Sequence, residues 1–67
     1  MDIILIQKLS TRQGEPLNEK ILGAYKGNVV PTIGDAVFVT EDIVGEVEKR
    51  CFSKNEPNRV VLILKMD

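Results

Sequence analysis

Two short apolar runs, residues 3–6 (Ile-Ile-Leu-Ile) and residues 60–64 (Val-Val-Leu-Ile-Leu), lie near opposite ends of the chain and show no polar alternation. A strand with one face in water alternates apolar and polar side chains. A strand apolar on both faces needs cover over both. At an edge, residues 60–64 would be a flat, uncharged template for pairing with another chain. The two runs are therefore expected to pair with each other, or to sit inside a sheet that curls until its edges are protected.

The segments between them read as further strands. Residues 17–26 admit two descriptions. Leu17, Ile21, Leu22 and Tyr25 fall at helical spacing, with Pro16 suited to a first turn and Gly27 to a cap. Gly23 opposes the helix at a cost of about 1 kcal/mol, and so short a helix is marginal. The strand description takes residues 20–25, with Ile21 and Gly23 on one side, and is preferred. Residues 10–16 are polar and end in turn formers, so they read as a loop.

Gly27-Asn28 marks a turn, and Pro31 holds Val30 extended. Gly34-Asp35 then leads into a strand at residues 36–40, Gly34 allowing positive φ and Asp35 bonding to nearby backbone N–H groups. Val37 and Val39 point one way, Ala36 and Phe38 the other. The clearest two-residue period runs from Ile43 to Phe52. It directs Val47 and the lone Cys51 to the core, with Glu46, Glu48 and Arg50 in water, and Gly45 marks a bend or bulge. Residues 53–58 read as a loop tip. Residues 59–66 form the last strand, with Val60, Leu62, Leu64 and Met66 on one face and Val61 and Ile63 on the other.

Strands of this number and length in 67 residues imply one domain, mainly β, built as a small five-stranded, partly open barrel. The alternative is an α+β arrangement with one short helix at residues 16–26 packed on an antiparallel sheet. Pro31-Thr32-Ile33-Gly34-Asp35-Ala36-Val37-Phe38-Val39, followed by Gly45-Glu46-Val47 and Val60-Val61-Leu62, resembles the cadence of small SH3-like barrels over roughly the C-terminal half. The resemblance implies fold rather than function. Nucleic-acid-binding barrels of that kind gather basic and aromatic residues on one set of loops. This chain departs from them in having few aromatics and an acidic Glu41-Asp42 turn.

Residue inventory narrows the chemistry. The chain has no histidine and one cysteine, so neither an internal disulfide nor a Cys/His zinc site can form, and the usual neutral-pH general base is missing. The glycines are too dispersed for a phosphate-binding loop. Glu46 and Glu48 share a face by spacing, which reads as a solvated surface rather than an acid–base pair. Glu41, Asp42 and Glu46 lack calcium-loop spacing. No cofactor and no metal are expected. The apolar runs fall far short of the roughly 20 residues of a membrane helix, and the N-terminus lacks leader character, so the expected location is cytoplasmic.

Net charge is −1, and no single face is dominantly basic by sequence. Lys49, Arg50, Phe52, Lys54 and Arg59 nevertheless cluster around the last hairpin and form the candidate patch for nucleic acid or a partner. A folded chain this short is marginally stable, so apolar surface beyond the capacity of its core gains by burial in an interface. The expected function is therefore that of a non-enzymatic binding module acting through protein–protein contacts or self-association, with a homodimer or protein partner. A barrel binding single-stranded nucleic acid is the alternative.

Overall fold

The computed structural model describes residues 1–9 and 18–66. Within them five strands follow one another: β1 (Asp2–Leu9), β2 (Asn18–Lys26), β3 (Ala36–Phe38), β4 (Val44–Ser53) and β5 (Glu56–Met66). They account for about 70% of the described residues, none of which is helical, and curl into an open half-barrel consistent with a small SH3-like barrel. The short helix considered for residues 16–26 does not occur at 18–26, where Gly23 and Ala24 lie in the strand. The loop expected at residues 10–16 lies outside the described residues.

All five strands belong to one sheet in the order β2-β1-β5-β4-β3. The two apolar runs meet at its centre, since β1 and β5 pair in parallel with Ile3 beside Val60, Leu5 beside Leu62 and Ile6 beside Ile63. Every other pair is antiparallel. The mutual pairing expected of the two runs is thus observed, and central placement gives each a hydrogen-bonded neighbour on both flanks, so neither offers a free edge.

Cross-strand partners point to the same side of a sheet, so the register assigns every residue a face. Ile3, Leu5, Val47, Val60, Leu62 and Leu64 form the buried cluster on what is here the inner face. Ile4, Ile6, Val61 and Ile63 occupy the outer face. The connection from β2 to β3 runs between the two edges of the sheet and so must pass over one face. Val30 and Val39, which flank β3, pack on the inner cluster together with Leu22, Val37 and Met66. Gly34 N–H donates to the Val47 carbonyl at 2.9 Å, and Val47 N–H donates to that of Asp35 at 2.9 Å, extending the β3 ladder backwards.

Two irregularities decide which side chains reach which face. In β2, Leu5 pairs with Gly23 but Ile6 with Ile21, leaving Leu22 as an extra residue. In β4, Val47 pairs with Leu64 but Lys49 with Ile63, leaving Glu48 as the extra one. An inserted residue reverses the alternation beyond it. Cys51, expected in the core with Val47, therefore pairs with Val61 on the outer face and is exposed. Arg50 is exposed as expected, yet stands opposite Leu62 and not on the face of Glu46. Gly45, expected to mark the bend, keeps regular register with Val37 and Met66. It is needed instead for close packing, because a Cβ there would lie 2.6 Å from the Met66 sulfur and 3.1 Å from Leu64.

The last hairpin is tighter than its composition suggested. Ser53 pairs with Glu56 across a turn at Lys54-Asn55, and residues 57–59 bulge before Val60 pairs with Phe52. Pro57, which has no N–H to offer a ladder, sits in that bulge.

Candidate recognition surface

Lys49, Arg50, Phe52, Lys54 and Arg59 all belong to the β4–β5 hairpin and all are exposed. The hairpin does not present them on one side. The bulge at Glu48 places Arg50 opposite Leu62 and Phe52 opposite Val60, both on the inner face. Lys49 stands opposite Ile63, and Arg59 opposite Asp2 of β1, both on the outer face. Lys54 lies at the turn between them.

On the inner side the Arg50 guanidinium carbon lies 5.3 Å from the centroid of the Phe52 ring, an exposed cation–π contact worth about 0.5–1 kcal/mol. Phe52 begins a row of side chains that runs through Val60 and Ile3 to Tyr25 on the opposite edge. The far end of that row carries a second half-exposed ring, Tyr25, which with Phe38 and Phe52 counts toward the apolar surface expected to exceed the core.

Carboxylates accompany the cations. Arg59 Nη1 lies 2.6 Å from Glu56 Oε2, with both side chains about half exposed, so the pair adds little to stability. Asp35 has its pKa lowered below the ordinary 3.8, first by the Thr32 backbone N–H, then by the Thr32 hydroxyl, with the nearby Arg50 charge a smaller help and slight burial opposing. These bonds, 2.8 Å and 3.0 Å long, close a turn in which Asp35 N–H donates to the Thr32 carbonyl. Gly34 sits in that turn at φ +94°.

Other exposed apolar side chains lie on the outer face. Ile21 on β2 is 74% exposed and Phe38 on β3 is 72% exposed. Register puts both on the outer face but on opposite edge strands, Ile21 beside Ile6 and Phe38 beside Val44. Ile6 and Ile63 between them are buried, and Lys49, Glu46 and Lys65 share the face. No described strand packs across this face, since contacts run only between sheet neighbours. A shallow depression lined by Asp2, Ile4, Ala24, Tyr25, Lys26 and Arg59 opens at its β2 end. Simple alternation puts Ile21 on the same side as Gly23, which the register shows on the inner face. The Leu22 bulge changes its side, and alternation along the chain carries no signal of that.

Among the described residues no group of three or more carboxylate or cysteine side chains is arranged to hold a metal ion, and no helix is long and apolar enough to cross a membrane. No family model, curated protein or solved structure matches this chain.

Proposed function

We propose that this domain is a non-enzymatic binding module that works through protein–protein contacts, self-association first among them. One observation carries the reading. Eight hydrophobic side chains are buried among the described residues, while nine large ones remain exposed, Ile21 at the β2 edge and Phe38 and Val44 at the β3 edge of the outer face among them. In a domain with so small a core, further apolar burial at an interface contributes stability that the isolated fold lacks. Light scattering coupled to size exclusion, over a concentration series into the high micromolar range, tests it. The expected result is a mass that rises with concentration. A monomer throughout, with no binding of an apolar dye, would remove the support for this reading.

A second reading rests on Arg50 over Phe52, an arrangement able to stack a base and meet a phosphate. It has less support, because Lys49 and Arg59 lie on the other face and Asp35 and Glu56 accompany the cations. Affinity for a single-stranded oligonucleotide should fall steeply between low and moderate salt if this reading holds. Absent or salt-insensitive binding rejects it.

A further inference from the structure

The two edges of the sheet differ. β3 is three residues long, which blunts it as a pairing template, whereas β2 offers nine residues with one side of its backbone unpaired by any described strand. From this edge we infer that a second copy of the chain adds antiparallel to β2, about a two-fold axis at the Leu22-Gly23 bulge, joining two half-barrels into one continuous sheet. The inference rests on the binding-module reading and names its partner and surface.

The bulge selects the register. A two-fold axis perpendicular to the sheet leaves each residue on its own face, so facing partners must already share one. In a regular strand only residues an even number apart share a face. In β2 the extra residue shifts that count. Glu19, Ile21, Ala24 and Lys26 lie on the outer face with Lys8, Ile6, Ile4 and Asp2, while Lys20, Gly23 and Tyr25 lie on the inner face. Leu22 packs toward the inner cluster as well. Centring the axis on Leu22-Gly23 sets Ile21 against Ala24, Lys20 against Tyr25 and Glu19 against Lys26, every pair on a common face. Moving the register by one residue in either direction puts partners on opposite faces.

Charge selects the same register independently. Across one protomer's outer face, Arg59 stands beside Asp2 and Asp2 beside Lys26. Glu19 of the second copy would come next, followed by that copy's Lys8, which already stands beside its own Glu19. Charge then alternates through five positions, and the symmetry repeats the run at the other end of the interface. Opposite charges facing across a sheet stabilise the pairing and like charges oppose it. Ile21, so largely exposed in the single chain, would be covered by Ala24 of the second copy, and the depression beside Ala24 and Lys26 would lie within the contact. A contact confined to one strand edge is small, so the dimer should be of about micromolar affinity or weaker.

A charge-exchange experiment tests the register. Glu19 and Lys26 are exposed, so Glu19→Lys and Lys26→Glu should both leave the fold intact, checked by circular dichroism. Each single variant places like charges across the axis twice, and its dimer should weaken by about tenfold. An equimolar mixture of the two restores opposite charge at both positions. Native mass spectrometry of ¹⁵N-labelled Glu19→Lys with unlabelled Lys26→Glu should therefore show the heterodimer in excess over either homodimer. The mixed species matters most, because each single change also disturbs an intrachain neighbour, Lys8 or Asp2. A wild-type dimer whose two variants mix only statistically overturns this interface and leaves the binding-module reading standing. A wild-type chain that stays monomeric near 1 mM, where even millimolar affinity would show, overturns the interface and removes self-association from that reading too.

Discussion

Arg50 lies over the ring of Phe52, 5.3 Å from its centroid, on the same face as the core because an extra residue at Glu48 turned the strand over before either was reached. The ring is 58% exposed, beside buried Val60 on the inner face. Phe52→Ala should accordingly cost below about 1 kcal/mol of stability, the scale of an exposed cation–π pair. Urea denaturation followed by circular dichroism measures it. A loss of several kcal/mol would show that the ring is part of the core.

Leu62 sits at the opposite extreme, fully buried between Leu5 of β1 and Arg50 of β4. Leu62→Ala should cost about 3 kcal/mol through lost transfer energy and the cavity left behind. That is a large share of the few kcal/mol available to a domain of this size. The same denaturation experiment should show a much lower midpoint, or no folded baseline. A midpoint unchanged from wild type would contradict the central β1–β5 pairing.

The Thr32–Asp35 turn makes a signed pH prediction. Asp35 titrates below its ordinary 3.8 in the folded chain because its carboxylate accepts two bonds from Thr32. A lowered folded pKa stabilises the fold above the unfolded value and loses that contribution as pH falls through the folded one. Denaturation midpoints should therefore drop below about pH 4, and Asp35→Asn should flatten that part of the profile. Identical acid profiles for the two proteins would reject the assignment. Gly34→Ala in the same turn should cost about 1 kcal/mol, since φ of +94° disfavours a side chain.

Gly45 is held by space rather than by conformation. An added Cβ meets the Met66 sulfur at 2.6 Å and Leu64 at 3.1 Å. Met66 is flexible and can yield, whereas Leu64 belongs to the buried cluster. Gly45→Ala should destabilise by about 1 kcal/mol and Gly45→Val by about 3 kcal/mol, the range of overpacked cores. Calorimetric melting of both variants checks the order. Equal stability would mean that β4 and β5 lie further apart here.

Cys51 is exposed on the outer face beside Val61. The folded protein should react with a thiol-specific disulfide reagent at the rate of a free cysteine peptide, with one equivalent consumed and no denaturant. Slow reaction that accelerates only in urea would return Cys51 to the interior and with it the unbulged register of β4.

Much of the sheet was legible in the residues themselves. The unalternating runs at residues 3–6 and 60–64 made poor edge strands, and they pair with each other at the centre of the sheet. The two-residue period of β5 placed Leu62 inward and Ile63 outward, and Gly34-Asp35 announced its turn through the one residue that tolerates positive φ and the one that can bond its backbone. These are local properties, written in side-chain type and spacing.

Only the tertiary structure decided that Cys51 faces out, that Arg50 and Phe52 part from Lys49 and Arg59, and that β2 stands at an open edge with Ile21 and Lys26 on one side. Each follows from strand order or from an extra residue at Leu22 or Glu48. A bulge is a mismatch between two strands rather than a property of one, so alternation along a single strand predicts every face up to that residue and the wrong one beyond it.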